Sequence, residues 1–390
     1  MRLEQREQTV RWISVLSCAA VVCALSLSGC GSGEENGAGG AGTGQVDPDA
    51  TDPGTAPVAT DPFEVISGLE KLGAKLKRGG DERVTEVSFR GVEMTDADLE
   101  LLSGLSNLQS VLLNDTAVTD GGLKTLGAIS TLRNLDLRGC GVSNAGLGHL
   151  AELESLRGLR LSSKNTATQI DDDGMKAVGK LTSLKALMLD FLFVSVDGLS
   201  KLKGLKNLEE IYLAGTLAGD ETPAVLQQIG QLKKIRLSQT QVGDAGLEAL
   251  SKITSLIELD VSENSLISDA GMAHIGQMGN LQKLNLWRVQ ITDGGLEPLA
   301  GLSKIKWLNL DNSLASDAGL SSLSGLKTLE FLHLGSTAVT DEGLVHLEGL
   351  SALQDLKVTR TNVSEAGVAR LQKKLPKTRI QLKYLGDGDG

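Results

Sequence analysis

The side chains best suited to chemistry in this chain are its carboxylates, four histidines and four cysteines, set in 390 residues that carry 49 Asp+Glu. General acid–base work needs two such groups held toward one reacting centre. The acids are instead spread at a fixed interval: Asp96, Asp120, Asp172, Asp220, Asp244, Asp269, Asp293, Asp317 and Asp341 each follow a step start that is usually Ser or Thr. A residue type that returns once per interval at such a place reads as a helix-start residue, favoured beside the positive end of the helix dipole. His149, His274 and His346 fall at equivalent positions of distant intervals, so they cannot share a metal whose ligands must lie about 2 Å from one ion. Asp171, Asp172 and Asp173 form an acidic triplet without the glycine and distal glutamate of a calcium loop. Glu258 and Asp260 sit on the same side of one strand, whereas glycan hydrolysis needs carboxylates that oppose each other. There is no phosphate-cradling loop, CxxC or G-x-S-x-G. The expectation is no catalytic residue, no metal and no cofactor, with a glycan-acting enzyme as a remote alternative.

The elements that position these residues repeat. From Val84 onward the pattern L-x-x-L-x-L-x-x-T-x-V is followed by T-D-x-G-L-x-x-L-x-x-L. Its second half begins at Thr95, Thr119, Ser143, Asp171, Ser195, Gly219, Gly243, Ser268, Thr292, Ser316, Thr340 and Ser364, and nine of the eleven intervals are 24 residues. The exceptions, 28 before Asp171 and 25 before Ser268, place insertions at the strand-to-helix turn. Alternating residues such as Leu284 and Leu286 point one side of a short strand inward and leave the residues between them facing out. Leu296, Leu299 and Leu302, three apart, make the inner stripe of a helix that returns the chain by a right-handed crossover. A glycine fills ten of the twelve positions three after the step start, as expected where the helix start passes close to its neighbour. The turn position before the step is mostly Thr, Ser or Cys; Cys140 lies in that column and reads as a buried structural thiol. One unit alone would bury about seven apolar side chains at about 1.5–3 kcal/mol each, against roughly 1–2 kcal/mol per residue of backbone ordering, so only stacking makes it stable.

This pattern resembles the leucine-rich repeat family, over about residues 64–384. Within the family it is similar to bacterial proteins of the planctomycete kind and to ribonuclease-inhibitor-like repeats, which also occur behind F-boxes; no F-box segment accompanies it here, which weakens a substrate-adaptor role. The resemblance implies an α/β right-handed solenoid of about 12 repeats of 24 residues, with parallel strands on a concave face and short helices on a convex one. The expected organisation is an N-terminal cap helix (Ile66 to Arg78) and first strand within 63–94, repeats over 95–363, a C-terminal cap over 364–384, and a disordered tail over 385–390.

The N-terminal segment has a different character. Arg2, Arg6 and Arg11 precede the uncharged run Ile13 to Leu27, the order of a secretory signal. Leu27, Ser28, Gly29 and Cys30 then resemble a bacterial lipobox, which implies a signal peptide over 1–29 and a diacylglyceryl group on Cys30 that holds the chain on a membrane. An uncleaved membrane anchor is the alternative, because the uncharged stretch is long enough to span a bilayer. Residues 31–62 hold 8 Gly, 4 Pro, six acids and no Lys or Arg, so 30–62 reads as a disordered tether. Either way the repeats are expected outside the cytoplasm, on the cell envelope.

Partner classes follow from charge and aromatics. A net charge of -11 disfavours nucleic acid, whose backbone calls for a basic surface. Projecting the strand pattern puts Phe191, Tyr212, Trp287, Trp307 and Phe331 on the concave face. Trp287, Trp307 and Phe331 fall in consecutive units beside Arg288, Asn309, Asp311 and His333 and are expected to form one aromatic patch that binds a protein or peptide. The chain thus reads as a non-catalytic, lipid-anchored recognition scaffold, with a passive structural or adhesive envelope component as the second reading.

Overall fold

A computed structural model describes residues 60–383. Cys30, the signal segment, most of the tether and the tail lie outside the described residues. Strand β1 (Lys75–Arg78) pairs antiparallel with β2 (Val84–Ser88), and from β2 onward every neighbour is parallel. The order along the sheet is the order along the chain: β3 (Ser110–Leu112), β4 (Asn134–Asp136), β5 (Gly158–Ser162), β6 (Ala186–Asp190), β7 (Glu210–Tyr212) and β8 (Lys234–Arg236). They are followed by β9 (Glu258–Asp260), β10 (Lys283–Asn285), β11 (Trp307–Asn309), β12 (Phe331–His333), β13 (Asp355–Lys357) and β14 (Arg379–Gln381), fourteen strands in one open sheet. A helical segment returns the chain between each parallel pair, so the period read in the sequence is the rise of one solenoid unit.

The cap differs from expectation at both of its ends. The helix runs only from Phe63 to Lys71, and Lys75–Arg78 is strand β1. Gly73, at φ +87°, turns the chain out of the helix, and the alternation of Leu76 with three cations lets β1 cover the edge of β2. The folded region also starts before Phe63, because the Val84 N–H donates to Asp61 Oδ2 at 2.6 Å and the Pro62 carbonyl accepts from Val65 N–H.

Within each unit the central strand leucine and those of the helix are buried in one continuous core. The flanking strand residues are half-buried on the opposite, solvent-facing side of the sheet, as at β8 to β13. Among the described residues no helix is long and apolar enough to cross a membrane.

The acidic column has a structural duty that the helix dipole does not describe. In nine consecutive-unit pairs the Asp after the step start accepts from the next unit's step-start backbone N–H at 2.7–2.9 Å, from Asp96–Thr119 through Asp341–Ser364. In eight of them the other carboxylate oxygen also accepts the hydroxyl, at 2.5–2.7 Å. The same hydroxyl often accepts from its own helix, as Ser268 does from Ala270 N–H, so it caps one unit while it ties to the one before. The glycine column follows from this ladder. A Cβ at Gly146, Gly271, Gly343 or Gly367 would come within 2.0–2.2 Å of the neighbouring Asp Oδ1.

The second column runs through the turns. Thr116, Thr216, Thr240 and Thr337 donate their hydroxyls to the carbonyls of Leu113, Leu213, Leu237 and Leu334. Cys140 is fully buried in this row, its Sγ 3.2 Å from the Leu113 carbonyl. Burial pushes its thiol up from the usual value. In the 28-residue unit the row is kept by Thr168, which donates to both Cys140 O and Ser162 O at 2.9 Å.

Candidate functional site

The ladder and turn rows absorb most of the residues that could have done chemistry. Asp171 stands at a step start and exchanges hydrogen bonds with Asn144, Asp172 ties to Ser195, and Asp173 lies 3.7 Å from both Lys176 and Lys201. The acidic triplet is therefore spoken for by protein groups. Glu258 shares Lys234 with Glu210, and Asp260 accepts from Ser262 N–H and Oγ–H. Among the described residues no three His, Cys, Asp or Glu side chains converge as metal ligands.

The solvent side of the sheet carries the remaining candidates; of the expected patch, Trp307, Phe331 and His333 meet one another, while Trp287 and Arg288 make a separate pair. Trp307 and Phe331 are exact partners in the β11–β12 register. Their rings stack at 4.9 Å between centroids and 5° between planes. His333, one alternate residue along β12, meets Phe331 edge-on at 6.4 Å. Burial, reinforced by the nearby Lys357 ammonium, holds His333 down to about 4, so it is neutral at physiological pH. Asn309 donates to the Asn285 side chain at 3.0 Å, which steadies the floor beside the stack.

Trp287 is not part of this stack. The register places Lys283, not Trp287, opposite Trp307. Trp287 comes four residues after Lys283, roughly 13 Å further along at strand rise. It sits past the end of β10 with Arg288, which adopts φ +57° and lies over the indole at 5.4 Å. Arg288 also pairs with Glu263 at 3.1 Å. Asp311 belongs to this end of the sheet, and burial raises its carboxyl despite a hydrogen bond from Ser336. Strand alternation does carry through Trp287, which follows the buried Leu286 and stands half-buried beside Asp311; the left-handed turn begins at Arg288, and the distance along the sheet keeps this indole out of the stack.

Phe191, just after β6, and Tyr212, on β7, lie at least four strands away from the stack. Phe191 is in the same left-handed turn position, at φ +63°, and packs over Gly215 with Lys164 above its ring at 5.9 Å. Tyr212 donates its hydroxyl to Glu210 at 2.9 Å; burial and that carboxylate push the phenol up. All five expected aromatics are half-buried rather than fully presented.

Three features of the surface are missing from the sequence reading. Lys283 and Lys357 flank the stack, their ammonium groups 5.0 Å from the Trp307 ring centroid and 5.6 Å from that of Phe331. Their spacing of 24 residues from Trp307 and from His333 was available as a signal, since it puts all four in the outward columns. Buried ion pairs occupy the middle of the sheet. Asp136, with no exposed side-chain surface, is bound by Arg138 at 2.6 Å and approached by Arg90 at 3.5 Å. Asp190 accepts from Ala214 N–H and pairs with Arg236 at 3.2 Å. Burial raises the Asp190 carboxyl while Arg236 opposes the rise. Finally Phe193, at 71% exposure, and Leu217, Leu266 and Leu314, each above half exposed, protrude at the turn after the strands.

A leucine-rich repeat family model matches residues 128–151, 232–251, 252–276 and 325–347, each stretch about one unit long. Among solved structures, an internalin (inlF) from Listeria monocytogenes is 20% identical, with a TM-score of 0.57, over 81% of this chain and 92% of that one. A leucine-rich repeat protein of Leptospira interrogans is 19% identical, with a TM-score of 0.46, over 73% of this chain and 80% of its own. No curated protein sequence matches. The four matched units, together with the strand and helical segment that the remaining units repeat, give this chain the fold of a leucine-rich repeat solenoid.

Proposed function

We propose that the chain is a non-catalytic recognition scaffold that holds a protein or peptide partner on the solvent face of its sheet, at β10 to β13. The observation that carries this is the stacked Trp307–Phe331 pair, half-exposed on strands where a repeat needs only a polar residue. Large aromatic side chains bring contact area at small entropic cost, and they dominate the energetic centres of interfaces. The other strands carry Glu, Lys, Asn, Ser, Gly, Ala, Asp or Arg at the equivalent position, so stacking of the units alone does not call for rings there. The acids and histidine of the sheet are engaged or neutral, consistent with binding rather than turnover.

The lipobox-like Leu27 to Cys30 and the acidic, glycine-rich stretch after it support an extracytoplasmic, lipid-anchored placement, with the repeats carried on a tether. Replacing Trp307 and Phe331 together by Ala in the full chain tests recognition. A photo-crosslinking residue at Gln381 should trap a discrete saturable partner in intact cells, and the double variant should lose it by at least 30-fold while it keeps its unfolding transition. Equal trapping by the double variant would favour the passive structural reading.

A further inference from the structure

The stack has both of its faces covered. Lys283 lies over the outer face of Trp307, Phe331 covers the inner one, and Lys357 closes the far face of Phe331. Across β10 to β13 the order is therefore cation, indole, phenyl, cation. A ligand that needs a bare ring face, such as a sugar or a nucleobase, finds none unless it displaces a lysine. What remains for a partner is the rim of the two rings, the electropositive part of an aromatic quadrupole, with an ammonium group at each end.

The surrounding charge has the same sign. From β10 to β14 and the turns after them the sheet face carries Lys283, Arg288, Lys357, Arg360, Arg379 and Lys383 against Asp311 and Asp355, with Arg288 paired to Glu263 of the preceding turn, in a chain whose net charge is -11. Glu258, opposite Lys283 in register, pairs with Lys234, and Asp355 pairs with Arg379, while Asp355 and Asp311 also lie near enough to act on Lys357. Neutral His333 and Asn309 add no negative charge.

Building on the recognition reading above, we infer that this face takes an acidic peptide segment in extended conformation, laid across the strands with carboxylates on Lys283 and Lys357 and an apolar side chain against the ring rims between them. The geometry fixes the spacing. Three strand separations amount to roughly 14 Å, and an extended chain covers that distance in about four residues, with residues i, i+2 and i+4 on one side. The motif is acid, any, apolar, any, acid.

A randomised peptide library selected on the full-length protein tests this, with selection repeated on Trp307→Ala/Phe331→Ala and on Lys283→Glu/Lys357→Glu. Peptides that depend on the rings should be enriched at least tenfold in Asp or Glu at i and i+4, and the charge-reversed protein should select Lys or Arg at those positions. Ring-dependent peptides without acidic enrichment, or an acidic preference unchanged by charge reversal, would overturn the inference and leave the recognition reading intact. Failure of the native protein to select any ring-dependent peptide would overturn both. Because the reversed variant is read by a switch of preference, a misfolded protein cannot imitate the expected result.

Discussion

Gly367 offers a substitution whose sign should reverse with its background. It lies in the helix Glu365–Lys374, where alanine ordinarily stabilises by about 1 kcal/mol relative to glycine. Here a Cβ would stand 2.0 Å from Asp341 Oδ1, 2.4 Å from its Cγ and 2.9 Å from Oδ2, with no other atom nearer. Gly367→Ala must push Asp341 away, and that carboxylate accepts from Ser364 N–H at 2.7 Å, from Ser364 Oγ–H at 2.6 Å and from Arg370 at 3.0 Å. Loss of two or three partly exposed, charge-assisted bonds costs on the order of 2–3 kcal/mol. Gly367→Ala alone should therefore destabilise the C-terminal unit by about 1–2 kcal/mol. In an Asp341→Ala background the clash is gone and the bonds are already lost, so the same substitution should stabilise by about 0.5–1 kcal/mol. The coupling, about 2 kcal/mol, is readable from a double-mutant cycle by urea unfolding, with amide exchange over residues 340–375 reporting the local opening. Equal effects of Gly367→Ala in both backgrounds would refute the view that the aspartate ladder dictates the glycine column.

Other expectations follow from the same geometry. His333 is held at about 4 against an ordinary 6.5, so the unfolded chain takes up its proton first as pH falls. Its contribution to stability is intact above pH 6.5 and is lost between there and about 4. His333→Gln should flatten the acid limb of the stability–pH curve by about 3 kcal/mol at most. Cys140, buried with its thiol shifted up, should resist alkylation in the native protein and react on unfolding; Cys140→Thr, which copies its column, should be tolerated better than Cys140→Asp by thermal melting. Asp190→Ala should cost about 1–3 kcal/mol, because the nearly buried Arg236 loses its closest carboxylate and keeps Asp260 at 3.5 Å, with Asp190→Ala/Arg236→Met recovering part of the loss. Cys30→Ala should abolish incorporation of a labelled fatty acid, while incorporation unchanged by the substitution would remove the lipid anchor.

The architecture was legible in the sequence because each unit writes the same physical requirement again. Leucines at strand and helix spacing must face one core, and the 24-residue interval is one turn of the solenoid. The glycine column was also visible as a close approach, though its cause was not. The carboxylate that Gly146 or Gly367 makes room for belongs to the preceding unit, and a one-unit reading assigned Asp120 and Asp341 to the dipoles of their own helices. The cap shows the same limit: Ile66 to Arg78 reads as one amphipathic helix, but pairing with Val84–Ser88 turns its second half into a strand.

For the recognition face, the sequence by itself determined which outward positions carry rings, since strand alternation fixes the side of the sheet on which Trp307 and Phe331 emerge. It could not determine what meets what across units. Register set Trp307 against Phe331 and Lys283 and left Trp287 beyond the strand with Arg288. The two lysines that close the stack are ordinary polar residues in a one-dimensional reading. Only parallel pairing, which brings residues 24 or 25 positions apart to neighbouring strands, turns two rings and two cations into one continuous column.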